Sequence, residues 1–253
     1  AGDAIIGAGN NVAVGYSAMG ATTTGDLNVA IGDNAMLTNT TGDRNVAVGS
    51  GSLYTMNPAS NVDMYNTAVG FNSGYAITTG TGNTLIGGLA GDSITTGTNN
   101  VAIGYLSLRN EDAYGHNVAV GHGALMLLDA AADAFNVAIG HEAGKAATTG
   151  IENTLIGSLA GDALTSGSRN TAIGYGALSA EDAHGHNVAI GRNALLVLNA
   201  GADGHNVAIG SSAGEALSTG VENTLIGYQA GVALTTGDNN IVIGNDAAAS
   251  AVG

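Results

Sequence analysis

Cysteine is absent from this chain, which excludes disulfides, thiolate metal sites and a cysteine nucleophile. Tryptophan is also absent, and 253 residues contain only 2 Phe and 1 Pro. A globular core of that length draws on many large side chains. Here the apolar content is mostly Ala, Val, Ile and Leu, which suits a thin core packed between closely approaching backbones. Positive charge is scarce: 5 Lys+Arg face 20 Asp+Glu, for a formal net charge of −15. Such a surface repels phosphates and anionic headgroups, so neither nucleic acid nor membrane insertion is expected, and the acidic coat reads as solvated. No apolar run approaches the length of a membrane span, and no charged segment leads into an apolar one as in a secretory leader. The opening Ala4-Ile5-Ile6-Gly7 falls in mid-pattern, as in a piece of a longer protein.

What is abundant is glycine, with 42 residues, and a repeat that organises them. The pattern Asn-[Val/Thr/Ile]-[Ala/Leu/Val]-[Val/Ile]-Gly begins at Asn11 and recurs through Asn240 in fourteen copies, most of them 17 residues apart. In Asn11-Val12-Ala13-Val14-Gly15 the second and fourth positions are β-branched and share one face, while the small third residue takes the other. That period of two predicts a strand. The fifth residue is glycine in every copy, which marks a bend that no side chain fits. Three residues later the position is always Ala or Ser, as at Ala18, Ala35, Ser52 and Ala90. The second half of the unit reads Thr-Thr-Gly, as in Thr23-Thr24-Gly25 and Thr95-Thr96-Gly97, and predicts a second short strand and a turn. The recurrent Asn is expected to stack into a hydrogen-bonded ladder. The fold class that follows is all-β: a parallel β-solenoid or β-roll of about fourteen coils, one array over residues 11–247 within a single domain 1–253. At roughly 4.8 Å per coil the array would extend on the order of 65–70 Å.

A longer period lies over the first. Asn-Thr-Leu-Ile-Gly recurs at Asn83, Asn153 and Asn223, 70 residues apart, and the third coil of each block is longer than the rest, by four residues in the first block and by two in the others. The extra residues follow Leu53-Tyr54-Thr55-Met56-Asn57-Pro58, Leu125-Met126-Leu127-Leu128-Asp129 and Leu195-Leu196-Val197-Leu198-Asn199. These runs either plug a local gap or present a binding loop. Tyr54, Met56, Asn57, Leu127, Asp129, Val197 and Asn199 are the candidate partner contacts, because insertions in repeat proteins cluster on one face.

A calcium-binding roll would need Gly-Gly-x-Gly-x-Asp repeats, which are absent, and 17 is not a multiple of the six that a hexapeptide helix requires. One narrow roll buries few large side chains, so side-by-side oligomerisation is the natural remedy. The combination Asn-x-Ala-Ile-Gly-x-x-Ala followed by Thr-Thr-Gly resembles the repeats of phage tail-fibre shafts, from Asn11 to about Ala247. It is also similar to the head repeats of trimeric autotransporter adhesins, which are shorter and lack the Thr-Thr-Gly segment. The resemblance implies a left-handed roll, a homotrimer and attachment to a host-surface receptor, glycan or protein.

Catalytic constellations are not assembled by this sequence. Among the six histidines, His116, His186 and His205 immediately precede the repeat Asn and read as solvated turn residues. His184-Gly185-His186 has a spacing open to a metal, but 70 residues earlier the same place reads Tyr114-Gly115-His116, so no metal is expected. The pairs Glu111-Asp112 and Glu181-Asp182 read as solvated charge, since general acid–base work needs a cleft with two distinct environments. Gly87-Gly88-Leu89-Ala90-Gly91 lacks the lysine of a phosphate loop. No enzyme activity and no cofactor are expected. The leading expectation is a fibre or spike segment of a phage tail, extracellular, that mediates or spaces host attachment. The alternatives are a bacterial adhesin head at the cell surface and a secreted ice-binding solenoid. Against the last, adjacent Thr-Thr pairs place one threonine of each pair inward rather than building a flat Thr-x-Thr array.

Overall fold

The computed structural model describes residues 1–2 and 7–248; the opening Ala4-Ile5-Ile6 of the pattern and residues 249–253 lie outside the described residues. The chain divides into two compact units, Ala1–Gly123 with Ala131–Asp133, and Ala124–Ala130 with Ala134–Gly253. Each is a stack of seven coils, and no helix occurs among the described residues.

In the first unit the ladder strands are β1 (Val12–Val14), β2 (Val29–Ile31), β4 (Val46–Val48), β6 (Thr67–Val69), β7 (Thr84–Ile86), β8 (Val101–Ile103) and β9 (Val118–Val120). They pair in parallel and in chain order, each residue opposite its equivalent one coil on, as in Val12↔Val29 and Ala13↔Ala30. Two further short strands, β3 (Gly42–Asp43) and β5 (Val62–Asp63), pair beside the long coil. The second unit repeats the arrangement with β10 (Val137–Ile139), β11 (Thr154–Ile156), β12 (Thr171–Ile173), β13 (Val188–Ile190), β14 (Val207–Ile209), β15 (Thr224–Ile226) and β16 (Ile241–Ile243).

The second strand expected at Thr-Thr-Gly does not form in most coils. A strand alternates its N–H groups between two neighbours, but here three successive N–H groups converge on one carbonyl. Thr23, Thr24 and Gly25 all donate to Thr40 O, at 3.0, 3.1 and 3.2 Å. Thr148, Thr149 and Gly150 do the same to Thr165 O, at 2.7, 3.2 and 3.3 Å. This bend still ties one coil to the next, so the backbone is satisfied without a ladder.

Inside each coil sit the middle strand residue, the small residue after the glycine bend, and the asparagine. Ala30, Ala68, Leu85, Ala102, Leu155 and Ala189 are fully buried, as are Ala35, Ser52 and Ala90. The asparagine ladder is internal. The Asn45 N–H donates to Asn28 Oδ1 at 2.9 Å, Asn117 to Asn100 at 3.0 Å and Asn170 to Asn153 at 2.9 Å, while each Nδ2 reaches a carbonyl of its own or the following coil. Several of these amides also close the turn before the strand, as Asn45 Nδ2 does on Asp43 O at 2.8 Å and Asn117 Nδ2 on Gly115 O at 3.3 Å. The residue so enclosed takes the left-handed conformation, with φ of 59° at Arg44 and 64° at His116. The glycine bend has a different cause. Gly157 has φ of 134°, and a Cβ there would lie 2.5 Å from Gly174 O in the next coil, so successive backbones approach too closely for any side chain.

Candidate functional site: the outward sheet face and the long coils

With alanine, leucine and asparagine turned inward, the β-branched residues of every strand point out of the roll. Val12, Val14, Ile31, Ile86, Ile103, Ile139, Ile209, Ile241 and Ile243 are exposed, Val14 by 55% and Ile241 by 77%. In each unit seven strands set two such positions side by side, a strip three residues wide made of Val, Ile and an occasional Thr. With roughly 40–50 Å² per side chain, one unit presents on the order of 600 Å², at the upper limit of what monomeric proteins leave uncovered. Covering it would release on the order of 15 kcal/mol of gross transfer free energy. A column beginning just past the glycine bend borders the strip, with exposed Tyr16, Phe71 and Tyr105 in one unit and Tyr175 and Tyr228 in the other. Tyr105 lies against His122 at 5.7 Å between ring centroids, and the Arg192 guanidinium sits 6.0 Å over Tyr175.

The long coils divide their candidate residues between core and surface. Met56 is fully buried and unavailable to a partner; the apolar runs send Leu53, Met56, Leu125, Leu128, Leu195 and Leu198 inward. Tyr54 is half-buried and stacks on Tyr75 at 4.8 Å. Asn57 is exposed and accepts from the Thr40 hydroxyl at 2.6 Å. Leu127 and Val197 are exposed at equivalent places, and Asp129 and Asn199 are exposed while their N–H groups donate to Thr148 O and Ser218 O at 2.8 Å.

Each long coil ends in an aspartate that the sequence reading passed over, although Asp63, Asp133 and Asp203 recur at 70-residue intervals. Asp63 meets Arg44 Nε at 2.7 Å and accepts from the Tyr65 hydroxyl at 2.8 Å. The tyrosine hydroxyl and then the guanidinium hold its carboxyl below the usual range. Asp133 accepts Gly115 N–H at 3.0 Å with His116 Nδ1 3.5 Å away. Asp203 accepts Gly185 N–H at 2.9 Å with His186 Nε2 3.8 Å away, and His186 stacks on His205 at 4.9 Å. The histidines before the repeat Asn are thus turn residues with an acid beside two of them.

The paired acids depart from expectation. Glu111 and Glu181 are fully buried rather than solvated. Each reaches into its own turn, where Oε1 accepts a backbone N–H three residues on, from Tyr114 and from His184, both at 3.2 Å. The carboxylate replaces backbone partners that the bend has pulled away.

Two aspartates on the roll carry a buried oxygen with no hydrogen bond, Asp92 Oδ1 and Asp162 Oδ1. Burial pushes both carboxyls above their ordinary range, against the pull of Arg109 on Asp92; at Asp162 Glu142 adds to the rise. The threonine pairs are also settled by the coil contacts. The first hydroxyl donates to the next coil, as Thr95 does to Asp112 O at 2.9 Å and Thr148 to Thr165 O at 3.1 Å; the second threonine is exposed at Thr149 and at Thr96, where its hydroxyl also donates to Ala113 O at 3.3 Å. No helix among the described residues is long and apolar enough to cross a membrane. Set against known proteins, the chain matches no family model, no curated protein and no solved structure.

Proposed function

We propose that this chain is a structural fibre or spike segment that self-associates side by side as a homotrimer and mediates or spaces attachment of a phage tail to its host surface. The observation that carries the reading is the outward Val/Ile strip. A three-residue strand is only about 10 Å wide, so three such strips can close around an axis and bury one another where a single roll leaves them wet. The resemblance to tail-fibre repeats supplies the number three and the extracellular, virion setting. In that assembly the strips form the shared core. Half-buried Tyr54 and the exposed residues of the long coils, Asn57, Leu127, Asp129, Val197 and Asn199, remain as contacts for a receptor. The ice-binding alternative draws less support, because the first hydroxyl is committed to the neighbouring coil at Thr23, Thr40, Thr78, Thr95 and Thr148, and the second is committed as well at Thr41 and Thr96.

Light scattering after size exclusion tests the assembly. One chain has a mass of 24.5 kDa, and the expected particle has about three times that. Ile103→Asp combined with Ile209→Asp places charges in the shared core and is expected to yield monomer. A wild-type chain that is monomeric at micromolar concentration overturns the proposal.

A further inference from the structure

We propose that Glu181, Asp182 and His184 form a binding site for a divalent cation of the zinc class. The three donor atoms lie within 4.8 Å of one another in a single turn of the second unit. Glu181 is fully buried, and its Oε1 and Oε2 accept the N–H groups of His184 and Ala200 at long distances of 3.2 and 3.3 Å. His184 Nδ1 is 3.4 Å from Glu181 Oε1, closed to solvent and without a hydrogen bond. A proton on that nitrogen does not point at the carboxylate, and an unprotonated nitrogen sets one lone pair against another.

A shared ion answers both. Two ligands about 2.0–2.1 Å from a tetrahedral zinc stand roughly 3.3–3.4 Å apart. Asp182 supplies the third donor, on a backbone pinned where Thr165 N–H and Ser166 N–H meet its carbonyl at 2.5 and 3.2 Å. One imidazole with two carboxylates suits zinc and its neighbours, whereas calcium and magnesium prefer oxygen alone. The chain carries its own control. Seventy residues earlier the turn reads Glu111-Asp112-Ala113-Tyr114, with Glu111 equally buried and Tyr114 N–H on its Oε1 at 3.2 Å. The buried glutamate therefore belongs to the turn in both copies, and the copies differ in the third donor: Asp129 completes an all-oxygen set in the first, whereas the imidazole gives the second its zinc-class character.

The experiment compares zinc binding to the full chain and to His184→Tyr by equilibrium dialysis, with thermal unfolding of both with and without zinc. Tyrosine is the residue the chain itself uses at this place in the earlier copy, so the variant keeps the fold. The wild type is expected to bind one more zinc per chain than the variant, with a Kd in the micromolar range or below, and to gain thermal stability that the variant does not. Tyr114→His is expected to add one zinc. Equal stoichiometry in wild type and His184→Tyr overturns the proposal. So does a wild type whose thermal stability ignores zinc.

Discussion

Replacing Asn100 by alanine removes a side chain that serves three partners at once. Its Oδ1 accepts the Asn117 N–H at 3.0 Å and Asn117 Nδ2 at 3.3 Å, and its Nδ2 donates to Tyr114 O at 3.3 Å. The site is fully buried, so water cannot stand in for the lost amide. Each buried polar group deprived of a partner costs about 1–3 kcal/mol. With a backbone donor and a backbone acceptor both affected, the expected loss is about 3–5 kcal/mol. Asn240, at the end of the second unit's ladder, is the control. Its own N–H to Asn223 Oδ1 survives substitution, and its Nδ2 bonds to Asn223 Oδ1 and Asp238 O lie at the surface, so Asn240→Ala should cost only about 0.5–1 kcal/mol. Urea unfolding followed by circular dichroism, at one fixed protein concentration, gives the two differences. Amide exchange at Asn117 should accelerate in the first variant and not in the second. The ladder loses its place as an internal support if Asn100→Ala costs no more than Asn240→Ala.

Two other changes test the backbone bend and the buried acids. Gly157→Ala puts a methyl 2.5 Å from Gly174 O at a φ of 134°, so it should cost more than about 3 kcal/mol and be visible as a large drop in Tm or a failure to accumulate folded protein. Asp162→Asn should raise stability at pH 7 by about 0.5–1 kcal/mol, because the lone buried oxygen no longer belongs to a charged group. The folded-state carboxyl is raised above its unfolded value, so the folded chain binds the proton more tightly. Wild-type stability from this group should therefore rise as pH falls from above the raised value toward the ordinary aspartate value, and the Asn variant should lack that rise. Thermal unfolding between pH 7 and pH 4 compares the two.

The coil, its length and the ladder were legible because each depends on residue type at fixed spacing. Asn, Gly and the small residue recur at one place in every unit, and each meets a demand that no other side chain meets there. The bend at Thr-Thr-Gly was not legible as a bend, because threonine's preference for pleated structure says nothing about three N–H groups sharing one carbonyl. Left-handed backbone at Leu53, Leu178 and His186 was hidden for a similar reason, since residue preference argues against it and the coil imposes it. For the candidate contacts, alternation along the long coils separated Leu127 and Val197 from the inward Leu128 and Leu198 only once the direction of the roll was known. Glu111 and Glu181 read as solvated because charge is a reliable surface signal except where a carboxylate replaces backbone partners.

The 70-residue period has a packing cause beyond the long coil. In ten of the fourteen coils the third residue of the repeat is alanine, and in seven the ninth residue is Met or Leu, as with Ala189 and Leu195. Where the third residue is Leu155, the ninth residues of that coil and the one before are Gly161 and Gly144. Cβ atoms added there would lie 2.8 and 2.6 Å from Leu155 methyl carbons. Glycine is not demanded by the backbone, because Gly161 at φ 55° matches Leu178 at φ 54° in the next coil. It is demanded by side-chain volume inside the coil, that of Leu155 together with Leu164, whose Cδ1 also lies 2.8 Å from a Cβ added at Gly161. Leu155→Ala alone should leave a cavity costing about 3–4 kcal/mol, and Gly161→Leu alone should overpack the coil by about 2–3 kcal/mol or more. Together they reproduce the set that Ala189, Leu195 and Leu198 form elsewhere, with Leu164 in place of Leu198. The double variant should therefore recover at least about 2 kcal/mol of the summed loss in a double-mutant cycle. If the two losses simply add, the long period does not arise from exchange of volume between these positions, and the glycines would have to answer to contacts outside the coil.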